Sequence, residues 1–190
     1  MIGILGLHGS ASQPDSISEF TARLAQGRPH YCPRGTIADG VGFTFFRRRA
    51  DRSIPGPELL ELAMQSLAPG GVVAAGGLRE ILLVGYSSGA IFGSALLSAA
   101  PELFVGAILL RPQPIASDFV FPGLSGKPIL VISGAYDSRR DPRHAAHIVG
   151  QLAAAQAKVV HHALDTGHGW APDDRDFVLS RRWMEAHFPT

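Results

Sequence analysis

Short runs rich in Ile, Leu and Val recur along the chain at Ile2 to Leu7, Ile81 to Tyr86, Phe104 to Leu110, Pro128 to Ser133 and Lys158 to Ala163. A strand with one wet face alternates apolar and polar positions, so apolar runs of this kind predict strands covered on both faces. Between them, Asp15 to Gln26, Gly56 to Ala68, Ser88 to Ala99, Pro142 to Ala157 and Pro172 to His187 place apolar residues at helical spacing, with Ser, Asp or Pro near several starts. Strands alternating with helices of this length predict parallel strands joined by crossover helices. A further strand around Pro29 to Cys32, bracketed by Pro29 and Pro33, suits a sheet edge. The expectation is a single α/β domain over residues 1–190, with about six mostly parallel strands flanked by helices. Two segments fall outside the alternation. Gly35 to Pro57, rich in glycine and carrying FTFFRRR, is too long for a plain connection and is a candidate pocket wall, whereas Gly70 to Gly77 reads as a helix-to-strand loop.

Composition narrows the function classes. At 190 residues, 46% hydrophobic and 17% charged, the chain can fill one core. Its 17 basic and 16 acidic side chains are spread along the sequence, which leaves no footprint for nucleic acid or an anionic membrane and favours a small-molecule substrate. No apolar stretch approaches the roughly 18 residues of a membrane span. The single cysteine, Cys32, has no internal disulfide partner, and MIGILGLHGS lacks the basic region and apolar run of a signal peptide, so a cytoplasmic setting is expected.

Candidate chemistry is concentrated at Gly85-Tyr86-Ser87-Ser88-Gly89, a G-x-S-x-G placed directly after the run ILLV and before the small-residue helix AIFGSALLSAA. A nucleophile on a strand-to-helix turn adopts strained backbone angles, and flanking glycines remove the Cβ atoms that would collide there. The turn lifts the hydroxyl above the sheet and aims the first amides of the helix at the reacting centre. A serine hydroxyl needs a base and a group that orients the base, and in this kind of fold the chain order is Ser, acid, His. Asp137 follows the strand PILVIS, and His168 lies in Asp165-Thr166-Gly167-His168-Gly169-Trp170 after the strand KVVHHAL, so both are expected at the carboxyl edge of the sheet.

Competing assignments are weaker. Asp141 precedes Pro142 and has the sequence of a helix N-cap. His161 and His162 fall within a strand, His144 and His147 share a helix face without a completing ligand set, and His187 is near the chain end. Cys32 has no glycine elbow and reads as a buried thiol. The glycines of Gly3 to Gly9 lack the order of a dinucleotide fingerprint. For the oxyanion, the Ser88 amide is one donor, and Gly9 lets the chain turn so that the Ser10 amide is the second. Phe45, Phe46, Arg111 and Trp170 are candidate walls of a partly aromatic pocket holding one cation, with an internal ion pair as the other reading for Arg111 and a core position as the other reading for the phenylalanines. Arg47, Arg48 and Arg49 are expected to be solvated or to pin the loop.

The pieces LHGS at 7–10, CPRG at 32–35, GFTFFRRR at 42–49, GYSSGA at 85–90, AILLRPQP at 107–114, GKPILVISGAYD at 126–137 and DTGHGW at 165–170 make the chain similar to the phospholipase/carboxylesterase family of α/β hydrolases. That family includes small bacterial esterases, lysophospholipases and acyl-protein thioesterases. The resemblance implies a minimal α/β-hydrolase fold lacking the first two strands of the full fold, a Ser87, Asp137 and His168 triad, Ser10 and Ser88 as oxyanion donors, and hydrolysis of a small carboxylic ester with no metal or organic cofactor. A thioesterase or lysophospholipase on the same triad, or a non-catalytic binding module on the same fold, are the alternatives. The chain departs from the family after LHG, where it reads SASQPDS in place of a more glycine-rich stretch.

Overall fold

The computed structural model describes residues 1–189. In chain order its elements are β1 (Ile2–Leu7), α1 (Asp15–Ala25), β2 (His30–Tyr31), β3 (Ile37–Asp39), β4 (Gly42–Thr44), α2 (Gly56–Leu67), β5 (Glu80–Tyr86), α3 (Ser88–Ala99), β6 (Phe104–Leu110), β7 (Pro128–Gly134), α4 (His144–Ala154), β8 (Lys158–Leu164) and α5 (Arg175–His187). Six strands form one sheet in the order β2-β1-β5-β6-β7-β8, and every pairing in it is parallel.

Successive side chains of a strand point to opposite faces, and here both faces are covered. Leu5, Leu83, Leu109 and Val131 pack with Leu59, Ile91 and Leu152 from α2, α3 and α4. Ile4, Leu82, Leu110 and Leu130 pack with Leu24 and Met184 from α1 and α5. That two-sided burial is the physical origin of the unbroken apolar runs in the central strands. It does not hold for β8, which lies at the edge of the sheet with only Leu164 fully buried. Of the polar positions of KVVHHAL, His161 is exposed there and His162 half-buried. The two-residue β2 forms the opposite edge, as its flanking prolines require.

The Gly35 to Pro57 excursion contains a feature that its sequence does not announce, an antiparallel hairpin of β3 and β4. Three-residue strands are too short to show a period. The hairpin is tied to the loop after β1, with Ser12 and Phe43 exchanging backbone hydrogen bonds of 3.2 and 2.8 Å. Gly42 allows this approach, because a Cβ there would lie 2.5 Å from the Ser12 nitrogen. The Gly70 to Gly77 loop contains a short 3-10 turn at Ala74–Gly76. The last two helices begin later than their prolines suggest, at His144 and Arg175. Asp141 therefore acts one turn ahead of α4, accepting from the Arg143 backbone N–H at 2.9 Å and pairing with its guanidinium. Among the described residues no helix is long and apolar enough to cross a membrane.

Candidate active site

The sheet order places β2 on one side of β1 and β5 on the other, so the connections leave in opposite directions between β1 and β5. Open parallel sheets form a crevice at the carboxyl ends of such strands. Ser87 follows β5 there, and Gly9 and Ser10 follow β1. Ser87 has φ 56° and ψ −115°, a conformation that costs a non-glycine residue on the order of 1–3 kcal/mol. Its N–H donates to the Leu110 carbonyl at 2.8 Å, which fixes the turn from below. The flanking glycines are sterically required. A Cβ on Gly85 would lie 2.6 Å from the Gly89 carbonyl oxygen, and one on Gly89 would collide with the Leu7 carbonyl.

Two further loops close on the serine. Backbone bonds from Ala135 to the Leu164 carbonyl and from Tyr136 to the Thr166 carbonyl, 2.8 and 3.0 Å, tie the loop after β7 to the loop after β8. That pairing brings Asp137 and His168 together. His168 Nδ1 lies 2.7 Å from Asp137 Oδ2, and His168 Nε2 lies 2.8 Å from Ser87 Oγ. Because the carboxylate can only accept, Nδ1 carries the proton and Nε2 is free to accept from the hydroxyl. The other Asp137 oxygen accepts from the Arg139 backbone N–H at 2.9 Å. Burial pushes the His168 pKa below the ordinary imidazole value; Asp137 opposes this, and the Arg140 and Arg139 charges reinforce it. Asp141 has its carboxylate on Arg143 and does not reach the histidine.

Arg111 does not form a pocket wall with its side chain. The guanidinium is fully buried beneath the His168 loop, bidentate to Asp176 at 2.8 and 3.0 Å and donating to the Gly169 carbonyl at 2.9 Å. Asp176 Oδ2 also accepts from the Ala171 N–H at 2.7 Å, so the pair fastens the chain just after His168. This is the internal ion-pair reading. Arg111→Met leaves the Asp176 carboxylate buried without its cation, and the expected loss of folding free energy is about 3–5 kcal/mol. Urea denaturation checks this, and Arg111→Met combined with Asp176→Leu should recover part of the loss, because no buried charge remains.

The phenylalanines follow the core reading, although Phe46 also borders a cavity of about 310 Å³ with Ser10, Ser88 and Arg48. Phe45 and Phe46 are 2% and 3% exposed and join the core that holds Leu59 and Phe92. The hairpin's attachment to Ser12 turns the following residues inward, and Phe45 stacks on Phe92 with ring centroids 5.0 Å apart. Trp170 is 38% exposed and stacks on Tyr86, beside a cleft of about 110 Å³ that also holds Ser10, Ser87 and His168. A second cavity of about 390 Å³ also reaches Ser87 and is bordered by Ser10, Ser88, Arg48 and Arg140. Arg47 donates to the Ala38 carbonyl and Arg49 to Glu58, both pinning the excursion, whereas Arg48 borders the cavity. The Ser10 and Ser88 amides have no hydrogen-bonded acceptor among the described residues, as a pair of donors waiting for an oxyanion would.

Three participants are not among the residues that the sequence singles out. Arg140 Nη2 donates to Ser87 Oγ at 3.2 Å. Tyr86 donates to the His168 carbonyl at 2.5 Å, holding the loop from the strand that delivers the serine. His8 is fully buried; its Nε2 accepts from the Gly35 N–H at 2.9 Å, so Nδ1 carries the proton and donates to the Gly9 carbonyl at 2.7 Å. It thereby fixes both the β1 loop and the start of the excursion. The signal for His8 is its position beside Gly9 in LHGS; for Arg140 and Tyr86 only the fold reveals it. Cys32 is half-buried against Thr21, its thiol pKa pushed up by burial. Among the described residues no cluster of His, Cys, Asp and Glu has the make-up of a metal site.

No protein-family model and no curated sequence matches the chain. Solved structures do. A carboxylesterase from Mesorhizobium loti is 26% identical, with a TM-score of 0.80 over 96% of this chain and 87% of that one. A Bacillus cereus carboxylesterase is 21% identical, with a TM-score of 0.84 over 97% of this chain and 88% of that one. Arabidopsis thaliana SOBER1 is 17% identical, with a TM-score of 0.78 over 98% of each chain.

Proposed function

We propose that this chain, an α/β hydrolase of the phospholipase/carboxylesterase type, acts as a single domain that cleaves small carboxylic esters through an acyl-serine intermediate. One observation carries the reading: a serine held in a strained elbow, with its hydroxyl 2.8 Å from an imidazole whose far nitrogen is 2.7 Å from a carboxylate. Ser87 Oγ attacks the ester carbonyl while His168 Nε2 takes its proton. The Ser10 and Ser88 amides hold the developing oxyanion, as donors with no other acceptor among the described residues. His168 then protonates the leaving alcohol, and in the second half-reaction it deprotonates the water that releases the acid. Asp137 keeps the ring in the tautomer that accepts at Nε2.

The pH dependence follows from the same geometry. A general base must be neutral in the free enzyme, so kcat/KM rises with pH through the His168 pKa. Burial lowers that pKa, so the midpoint is expected below the ordinary imidazole value of 6.5. Arg140→Gln removes a nearby positive charge that disfavours the imidazolium, and its midpoint is expected at higher pH than that of the wild type. A wild-type midpoint above 6.5 would mean that the Asp137 carboxylate outweighs burial at His168, and activity that falls as pH rises through this range would contradict the assignment.

The experiment for the reaction type is rapid mixing with p-nitrophenyl acetate. A burst of nitrophenolate equal to the enzyme concentration, followed by a slower steady state, is the expected result when an acyl-enzyme accumulates. Turnover abolished by a chelator and restored by a divalent ion would overturn the serine mechanism.

A further inference from the structure

The near-zero net charge of the sequence conceals a local excess. The cavity of about 390 Å³ beside Ser87 carries Arg48 and Arg52 from the excursion and Arg139 and Arg140 from the loop after β7. Among the described residues none of these guanidiniums has a carboxylate within ion-pair distance. One acidic residue, Asp141, lines the same cavity, but its carboxylate is paired with Arg143, and Asp137 is engaged with His168.

Two of the four are half-buried and held in place. Arg48 donates to the Arg52 carbonyl at 2.9 Å and to Gln113 Oε1 at 2.8 Å. Arg140 donates to the Arg111 carbonyl at 3.1 Å and to Ser87 Oγ at 3.2 Å. These acceptors are neutral, so they orient the cations without cancelling them. Burial, followed by repulsion from Arg48, lowers the Arg140 pKa to about 10, which still leaves it charged at neutral pH. Arg48 is lowered as well, by burial first and then by Arg52 and Arg139. Ordered guanidiniums that have no ion-pair partner and converge on one cavity form a site for an anion, and a planar carboxylate matches their fork of donors.

The two spaces beside Ser87 separate the arms of an ester. The leaving oxygen must face His168, which protonates it, and His168 lines the small cleft with Tyr86 and Trp170. The larger cavity shares Ser10, Ser87 and Arg139 with that cleft but is not lined by His168, and it adds Ser88 and the other arginines, which leaves it for the acyl chain. We propose that the substrate is a half-ester of a short dicarboxylic acid, its free carboxylate bound by Arg48 and Arg140 and its small alcohol directed toward Trp170. This rests on Ser87 being the nucleophile. The chain is short because Arg140 touches Ser87 Oγ, so a carboxylate on that guanidinium stands only a few bonds from the reacting carbon. In the reaction the Ser87 Oγ–C bond forms, the C–O bond to the alcohol breaks, and the serine proton passes through His168 to the alcohol. Water then cleaves the acyl-serine, releasing the dicarboxylate and one proton.

The test compares monoethyl succinate with ethyl succinamate, which replaces the carboxylate by a neutral amide of the same shape, alongside calorimetric binding of succinate to Ser87→Ala. Wild type should prefer the half-ester in kcat/KM by about 10- to 100-fold, the worth of one charge-assisted hydrogen bond, and the preference should shrink with added salt. In Arg48→Gln and in Arg140→Gln the ratio of the two substrates should collapse toward one. Succinate should bind Ser87→Ala and lose at least about tenfold in affinity when either arginine is also replaced. Equal or better turnover of the succinamate, with no succinate binding, overturns the proposal while leaving ester hydrolysis intact. Succinate binding lost with the arginines, in a protein that hydrolyses neither ester, supports the anion site and overturns Ser87 as nucleophile.

Discussion

Ser87→Ala is expected to lower ester turnover by about six orders of magnitude in kcat, the scale on which losing the nucleophile of a serine triad is felt. The hydroxyl is the one group placed 2.8 Å from His168 Nε2 at the strand-to-helix turn. Alanine removes the oxygen but keeps a Cβ of the same size, so the elbow, the buried helix α3 and the melting behaviour should be preserved. Steady-state rates on p-nitrophenyl acetate, measured on purified wild type and mutant with matched circular dichroism spectra, give the comparison. Comparable rates in the two proteins would remove Ser87 from the mechanism.

Asp137→Asn is expected to reduce kcat by about 10⁴-fold. The amide can still accept from the Arg139 N–H, so the loop after β7 keeps its shape. Its NH₂, however, faces His168 Nδ1 and favours the tautomer with the proton on Nε2, which cannot take the proton of Ser87. Asp141→Asn breaks an ion pair whose arginine is largely exposed, and such pairs contribute only about 0–1 kcal/mol. Its kcat should stay within a few-fold of wild type. Stopped-flow acylation rates for both mutants separate the two carboxylates, and a severe defect in Asp141→Asn with a mild one in Asp137→Asn would transfer the role.

The order of strands and helices was legible in the sequence because two-sided burial writes itself as uninterrupted apolar runs. Ile81 to Val84 and Phe104 to Leu110 have no wet face to record. The elbow was legible for a different reason: Gly85 and Gly89 sit where a Cβ would meet backbone, so sterics restrict the residue type. Other features left weaker marks. β8 resembles a buried strand through Val159 and Val160, yet edge strands and interior strands share these residues, and only the sheet order separates them. Phe45 and Phe46 sit in a loop by sequence and in the core by structure, because the hairpin that turns them inward is three residues long on each side.

The charge distribution was the least legible. Arg48 and Arg140 are far apart in the chain, and each lies in an unremarkable basic stretch, RRR at 47–49 and RR at 139–140. A count of charges averages them against acids elsewhere. Only the convergence of the excursion and the loop after β7 at one cavity turns them into a local field, because the energy of a charge depends on distance and burial and not on composition. Arg111 shows the reverse case. It lies at the end of a strand and reads as a pocket cation, but its carboxylate partner, Asp176, comes from α5 and draws it beneath the site.

The measurement closest to the central claim is covalent labelling with a fluorophosphonate, followed by peptide mass mapping. Ser87 activated by His168 should form one adduct per chain, on the peptide that contains Gly85-Tyr86-Ser87, with labelling lost in Ser87→Ala and strongly slowed in Asp137→Asn. An adduct on Ser88, Ser10 or another serine, or an unlabelled wild-type protein that still hydrolyses esters, would contradict it.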